Sequence, residues 1–339
     1  MLRSLIASRQ ARLVILGVFV SGLFSAGIVQ AQKSIAGRVV RVLTRAGKVV
    51  EGNLAAGSFK IDGAVARAVN GETLLSVQLA GDASADEAAR ISAGIAAVQG
   101  TNRPAREAAV AELTDIGLPA LTPVLNTYKD RDLREPDALY RLFGRLIPGY
   151  ADAAGRSLDF IRLKNGEALR GRVSADTLSL RLADGSETKL PLAAIRSLAV
   201  RQTRIEKTFE LHALRHCTQI EFLDTGVVLG PKSRVEVVAD GFVRLSFGID
   251  GWASDPDGLK VPGPNYKTNL VDGFPFGALV GKVGAAGPRF LVGRRLDKTS
   301  PGEGRLYLAV NDNGHWQNNI GSFRVRLRVS DAFDLGDPQ

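Results

Sequence analysis

Ala309-Val310-Asn311-Asp312-Asn313-Gly314-His315-Trp316-Gln317-Asn318-Asn319-Ile320-Gly321-Ser322-Phe323 lies between two strand-like runs. The apolar run Leu306 to Val310 leads in, and the alternating run Phe323 to Val329 leads out. Between them stand one carboxylate (Asp312) and five carboxamides (Asn311, Asn313, Gln317, Asn318, Asn319). Hard oxygen donors suit calcium, which takes about 6–8 oxygens in forgiving geometry. One carboxylate and neutral amides do not neutralise a divalent ion, so coordination positions remain for water or for the hydroxyls of a ligand. His315 and Trp316, with Asn313 beside them, offer an apolar surface and a polar group to a sugar ring. The plainer reading is a polar hairpin loop whose Asn and Asp side chains bond their own backbone. The loop alone does not separate the two.

Upstream stand Gly251-Trp252-Ala253-Ser254 and Gly277-Ala278-Leu279-Val280-Gly281-Lys282-Val283-Gly284. Taken in order with Asn311-Asp312 and Asn318-Asn319-Ile320-Gly321-Ser322-Phe323, they resemble the PA-I galactophilic lectin (LecA-like) family over residues 218–329. The resemblance implies a calcium-dependent jelly-roll β-sandwich in which the ion holds two adjacent sugar hydroxyls. It implies side-chain ligands at Asp312, Asn318 and Asn319, with a backbone carbonyl from Asp255. A second carbonyl would come from near His315 or Trp316. The loop between Asp312 and Asn318 is one residue shorter than in the galactose-binding member. The segment Lys260 to Pro275 lacks that member's sugar-contacting His and Gln. The calcium site is therefore better matched than a galactoside-type specificity.

Residues 1–31 read as a secretory signal peptide. Arg3, Arg9 and Arg12 precede the apolar run Leu13 to Val29, and Val29-Gln30-Ala31 offers a small-residue cleavage site before Gln32. An uncleaved anchor is the alternative, because the run approaches the length that spans a bilayer. The chain is expected to be exported: periplasmic, on the outer surface or secreted, with no membrane insertion once the signal is removed. Removing residues 1–31 takes away three arginines and no acid, which lowers the net charge from +9 to +6. The basic residues are scattered, so no nucleic-acid partner is expected. Arg324, Arg326 and Arg328 alternate with Val325, Leu327 and Val329 as the solvated face of one strand. The single cysteine, Cys217, excludes an intrachain disulfide.

The remaining chain predicts a mainly β protein with a helical insert. Duplicated small β-modules (33–82 and 156–202) flank a short helical segment (83–150), and a jelly-roll-like sandwich (211–330) follows. Val42 to Leu54 aligns without gaps on Ile161 to Val173, and both copies keep glycines five apart: Gly47 and Gly52, Gly166 and Gly171. The first of each pair suits a hairpin turn needing positive φ, and the second a bulge or bend. Further turns are expected at Asn70-Gly71 and Asp184-Gly185. Ser84-Ala85-Asp86-Glu87 is a capping box opening a helix to Gln99. Pro104 opens a second helix ending before Gly117. A third is expected over Leu121 to Tyr128 and a fourth over Asp137 to Leu146. The phrase Ala108 to Leu121 resembles one HEAT-like repeat, which cannot bury its own face alone and must pack on the β-modules. Arg201 to Glu210 reads as a polar connector. Four short strands are expected after it, within Gln219–Phe222, Gly226–Leu229, Arg234–Val238 and Phe242–Phe247.

No Ser-His-Asp arrangement with a nucleophile elbow and no phosphate-binding glycine motif is present, so the sequence points to no enzyme. His212, His216 and Cys217 are too few for a zinc site. The functional expectation is an exported, calcium-dependent, carbohydrate-binding protein. Its single-site binding would be weak, so assembly of identical chains would raise avidity. The alternative is a structural or protein-interaction component of the cell envelope in which calcium only stabilises the fold.

Overall fold

The computed structural model describes residues 37–55, 60–62, 74–129, 159–174, 177–219, 221–245, 253–259, 270–271, 273–312 and 319–336. The signal segment 1–31, the Asn70-Gly71 turn, the helix expected over Asp137 to Leu146, and Asn313, His315, Trp316 and Asn318 lie outside the described residues.

Alternation between apolar and polar residues sets the first sheet. β1 (Val39–Thr44) and β2 (Val49–Leu54) form a hairpin in which Val40 and Val42 are buried and Arg41 faces outward. Gly47 closes the turn at φ 79°, a conformation that penalises a side chain. Gly52 makes no bulge, since the β1–β2 register runs unbroken from Val39↔Asn53 to Leu43↔Val49. A Cβ there would meet the Arg181 carbonyl at 2.8 Å, so the glycine permits close backbone approach instead. β3 (Lys60–Asp62) and β4 (Leu74–Gln78) follow. The second stretch gives β5 (Asp159–Leu163), β6 (Ala168–Ser174), β7 (Thr177–Arg181), β8 (Glu187–Pro191) and β9 (Ile195–Gln202).

The two stretches share one sheet. β1 pairs with β9 and β5 with β4, while β2 pairs with β7 and β6 with β3. β4 and β9 then pair with each other. Each aligned hairpin is thus completed by strands from the other stretch. One core, including Val42, Leu74, Ile161, Leu178 and Leu198, is drawn from both. Side chains of this kind each stabilise by roughly 1.5–3 kcal/mol when fully buried.

Three helices occur among the described residues. α1 (Ala85–Gln99) begins at the expected capping box: the Glu87 amide donates to Ser84 Oγ, and Glu87 Oε2 accepts from the Ser84 amide. α2 (Arg103–Ile116) has the Asn102 side chain as its cap and ends at Gly117. α3 (Leu118–Lys129) starts three residues before the expected Leu121, with Pro119 in its first turn, where the missing amide is harmless. Ile91, Val98, Val110, Leu113 and Val124 form their common core. Nothing in the arrangement establishes a HEAT repeat.

The C-terminal region is a further antiparallel set. β10 (Ile205–His212) occupies most of the expected connector. Glu206, Thr208 and Glu210 are exposed while Ile205 and Leu211 are buried, and Lys207 on the inner face is paired with Asp334, so a polar composition concealed a one-sided strand. β11 (Leu223–Arg244) is one 22-residue strand where several short ones were expected. Its register shifts between Asp224 and Val228, and again between Leu229 and Arg234, carry it past the turn-like residues. β12 (Ala253–Ser254), β13 (Leu270–Val271), β14 (Phe274–Pro275), β15 (Leu279–Val283), β16 (Arg289–Leu291), β17 (Arg295–Thr299), β18 (Gly304–Val310) and β19 (Ile320–Asp334) complete the chain.

Ala332↔Gln202 and Phe333↔Arg201 join β19 to β9, so the first sheet continues into the C-terminal region. The helices bridge the same junction. Glu107 of α2 pairs with Lys282 of β15, and Asp115 of α2 pairs with Arg305 of β18.

Candidate functional site

The loop 311–319 is not a hairpin tip. β18 pairs with β15 and β11, whereas β19 pairs with β10, β11 and β9. β18 and β19 do not pair among the described residues; Val228 of β11 pairs with both Arg305 of β18 and Phe333 of β19. The two described ends of the segment, Asp312 and Asn319, each have their own anchoring partners.

At the first end, Asp312 is 1% exposed. Its backbone is clamped by the segment after β10. The Asp312 amide donates to Thr218 Oγ1 at 3.0 Å, and its carbonyl accepts from Thr218 Oγ1 and Gln219 Nε2, both at 3.0 Å. At the other end, Asn319 is also 1% exposed. Asn319 Nδ2 donates to Asp312 Oδ2 at 2.7 Å and to the Ala213 carbonyl at 3.2 Å. Both amide hydrogens are thereby used, which fixes the orientation of the group. Asn319 Oδ1 is then left buried with no hydrogen-bond partner among the described residues. A buried acceptor in that state costs about 1–3 kcal/mol.

This is the observation against which a cation can be tested. A carboxylate beside an amide oxygen that accepts from no described residue, both shielded from water, fits a hard cation. Among the described residues no cluster of three His, Cys, Asp or Glu side chains could hold a metal. The expected donor set contains only one such side chain, so that absence does not bear on it.

Asp255 sits in the neighbouring turn. Gly277 connects the two: its amide donates to the Asn311 carbonyl at 2.7 Å, and a Cβ on it would overlap the Ser254 side chain. The Asp255 carbonyl already accepts from Ser254 Oγ and from the Gly258 amide, each at 2.9 Å. Its carboxylate pairs with Arg294 at 2.6 Å. Asn311, absent from the expected ligands, is 0% exposed and donates to the Phe274 and Pro275 carbonyls at 3.1 Å, fastening the β14 segment beside the site. A carboxamide inside an apolar run was the available signal for this structural role.

His212 and His216 lie with ring centroids 6.4 Å apart, but His216 Nδ1 accepts from the His212 amide. Cys217 is buried within the C-terminal core. The arginine row behaves as a solvated face: Arg324, Arg326 and Arg328 are exposed, and Arg328 pairs with Glu206 at 2.8 Å and Glu236 at 3.3 Å.

No protein-family model matches this chain, and no curated protein matches it. One solved structure similar to part of it is described as "EclA N-terminal domain; PllA-like lectin". It is 23% identical with a TM-score of 0.29, and the match covers 37% of this chain and 96% of that one.

Proposed function

We propose that this is an exported, calcium-dependent carbohydrate-binding protein whose site is the segment 311–319. The observation that carries the reading is the buried Asn319 Oδ1, without a partner among the described residues, held beside the buried Asp312 carboxylate. Asp312 and Asn319 would hold the ion from the two fixed ends of the segment, with Asn318 next to the second. The Asp255 carbonyl joins only if one of its two present hydrogen bonds gives way. A bound calcium supplies positive charge and open coordination positions for vicinal hydroxyls. His315, Trp316 and Asn313 supply the surface on which the sugar ring packs. The sequence motifs shared with the galactophilic lectins support the same assignment.

The test is a glycan array run with calcium and again with chelator. Binding of at least one glycan only in the presence of calcium is the expected result. A second reading, a structural role with a stabilising ion, is favoured by the tight union of the two regions through the β9–β19 pairs and the Glu107–Lys282 contact. Calcium that raises the melting temperature while no glycan binds would establish that reading in place of the first. Trp316→Ala should cut glycan affinity about tenfold, the worth of one aromatic contact, and leave calcium affinity unchanged. N-terminal sequencing of the exported chain should start at Gln32.

A further inference from the structure

A second concave site lies where the first sheet, α2 and the end of β19 meet. It encloses about 180 Å³, below the roughly 300 Å³ at which drug-sized ligand pockets begin, so its occupant is small. Its floor is the outward face of four adjacent strands in two registered rows. The first row runs Arg41, Ala199, Ser76, Arg162, and the second Leu43, Ser197, Gln78, Phe160. Gly117 and Leu335-Gly336 form its walls, with Asp115, Asp224 and Arg305.

The charges of this cleft are not balanced. Arg305 takes both carboxylates: it pairs with Asp224 at 2.9 Å and with Asp115. Arg41 is held by Glu51 at 2.9 Å. Arg162 has no carboxylate and no hydrogen-bond acceptor among the described residues; its guanidinium stacks on the Phe160 ring at 5.1 Å. A Cβ at position 336 would fall on that guanidinium, so the glycine leaves room for it. The Ser76 and Ser197 hydroxyls and the Gln78 amide likewise have no side-chain hydrogen bond among the described residues. A guanidinium with unused donors, three neutral polar groups and a concave wall are the parts of an oxyanion site.

We infer that this cleft binds a small molecule through one carboxylate or phosphate group, with Arg162 supplying the charge-assisted contact and Ser76, Ser197 and Gln78 the neutral ones. The site shares no residue with the segment 311–319 and needs no calcium. The experiment is calorimetric titration of the full-length mature protein in calcium-free buffer at fixed ionic strength, with inorganic phosphate and separately with glucuronate. Saturable binding of either probe is expected; phosphate alone assigns a phosphate ligand and glucuronate alone a carboxylate. Arg162→Gln should weaken it at least about tenfold, whereas Arg172→Gln, on the exposed side of β6, should leave it unchanged. If Arg162→Gln does not fold, Ser197→Val, which fills the floor with methyl groups, carries the same expectation. Binding should persist in Asp312→Ala, which separates this result from the fate of the calcium site. Absence of saturable binding by both probes, or equal affinity in wild type and Arg162→Gln, overturns the inference.

Discussion

Glu87 and Asp312 are both carboxylates closed off from solvent, at 0% and 1% exposure, yet their surroundings differ in kind. Glu87 accepts from Arg196 Nε at 2.8 Å and Nη2 at 2.6 Å, from the Ser84 amide at 3.0 Å, and from Arg45 Nη1 at 3.4 Å. Arg196 in turn donates to the Leu79 carbonyl. Every strong acceptor position there is met by protein. Asp312 is instead placed against the Asn319 amide, whose oxygen accepts from no described residue. A buried carboxylate that the fold saturates is a fastening. One buried beside an amide oxygen that accepts from no described residue is where we place the proposed ion.

The largest expected effect breaks the first member of this pair. Glu87→Ala leaves Arg196, 1% exposed, as a buried charge without its counter-ion. The cost should be about 3–5 kcal/mol, read by urea denaturation. Burial alone would raise the Glu87 carboxyl; the hydrogen bonds and charge of Arg196, with the Ser84 amide and Arg45, outweigh it and hold its pKa below the ordinary 4.5. A depressed native pKa means that this stability is present above pH 4.5 and is lost as pH falls through the lower native value. Wild type should therefore lose stability more steeply than Glu87→Gln below that pH. Equal acid limbs for the two proteins would remove Glu87 from the role of main fastening.

The second effect tests the other member. Free calcium at about 100 times its dissociation constant should add about 2.7 kcal/mol to stability. Asp312→Ala and Asn319→Ala should each abolish that gain. If Asp312→Ala retains calcium affinity, the ion is held elsewhere and the contrast between the two carboxylates loses its meaning.

An intermediate case sharpens the comparison. Lys282 is 5% exposed, lies 4.4 Å from the Phe222 ring centroid, and pairs with Glu107, which is only half-buried. Burial lowers the Lys282 pKa, and Glu107 offsets part of that shift. Glu107→Ala should cost about 2 kcal/mol, between the values for surface and buried pairs. Glu107→Leu combined with Lys282→Met should cost less than either change alone, because no charge is then left behind. A denaturation-based double-mutant cycle measures the difference.

Much of this was legible locally. The Ser84–Glu87 box, the Gly117 stop, the Gly47 and Gly166 turns and the outward row Arg324, Arg326 and Arg328 are each settled by residues a few positions apart. What the sequence concealed is long-range. The partner of Glu87 is 109 residues away, and nothing near either residue announces it. The exchange of strands between the two aligned stretches follows from pairing of residues far apart in sequence, from Gln78↔Phe160 to Val40↔Val200, to which periodicity is blind. The strands flanking 311–319 looked like a hairpin for the same reason: β18 and β19, adjacent in sequence, both pair with β11 rather than with each other, and its register shifts disguised it as several short pieces. Asp312 and Asn319 could be singled out from sequence because both lie within one short segment, and the structure places their side chains 2.7 Å apart. Arg162 gave no sequence signal because its lack of an ion pair among the described residues is visible only in the folded arrangement.

The smallest expected effect isolates what the capping box does apart from the ion pair. Ser84→Ala removes the acceptor for the Glu87 amide but leaves the Glu87 side chain on Arg196 and on the backbone amide of residue 84. An N-cap of this kind is worth about 1 kcal/mol. If that is the whole role of the box, Ser84→Ala should cost about that amount and should leave the acid limb of the stability profile where it is. If the cap also positions Glu87 for Arg196, the loss should exceed that value and the acid limb should flatten. The first outcome makes local helix chemistry and long-range ion pairing independent contributions that share one residue; the second makes the cap the device that aims the carboxylate across the junction.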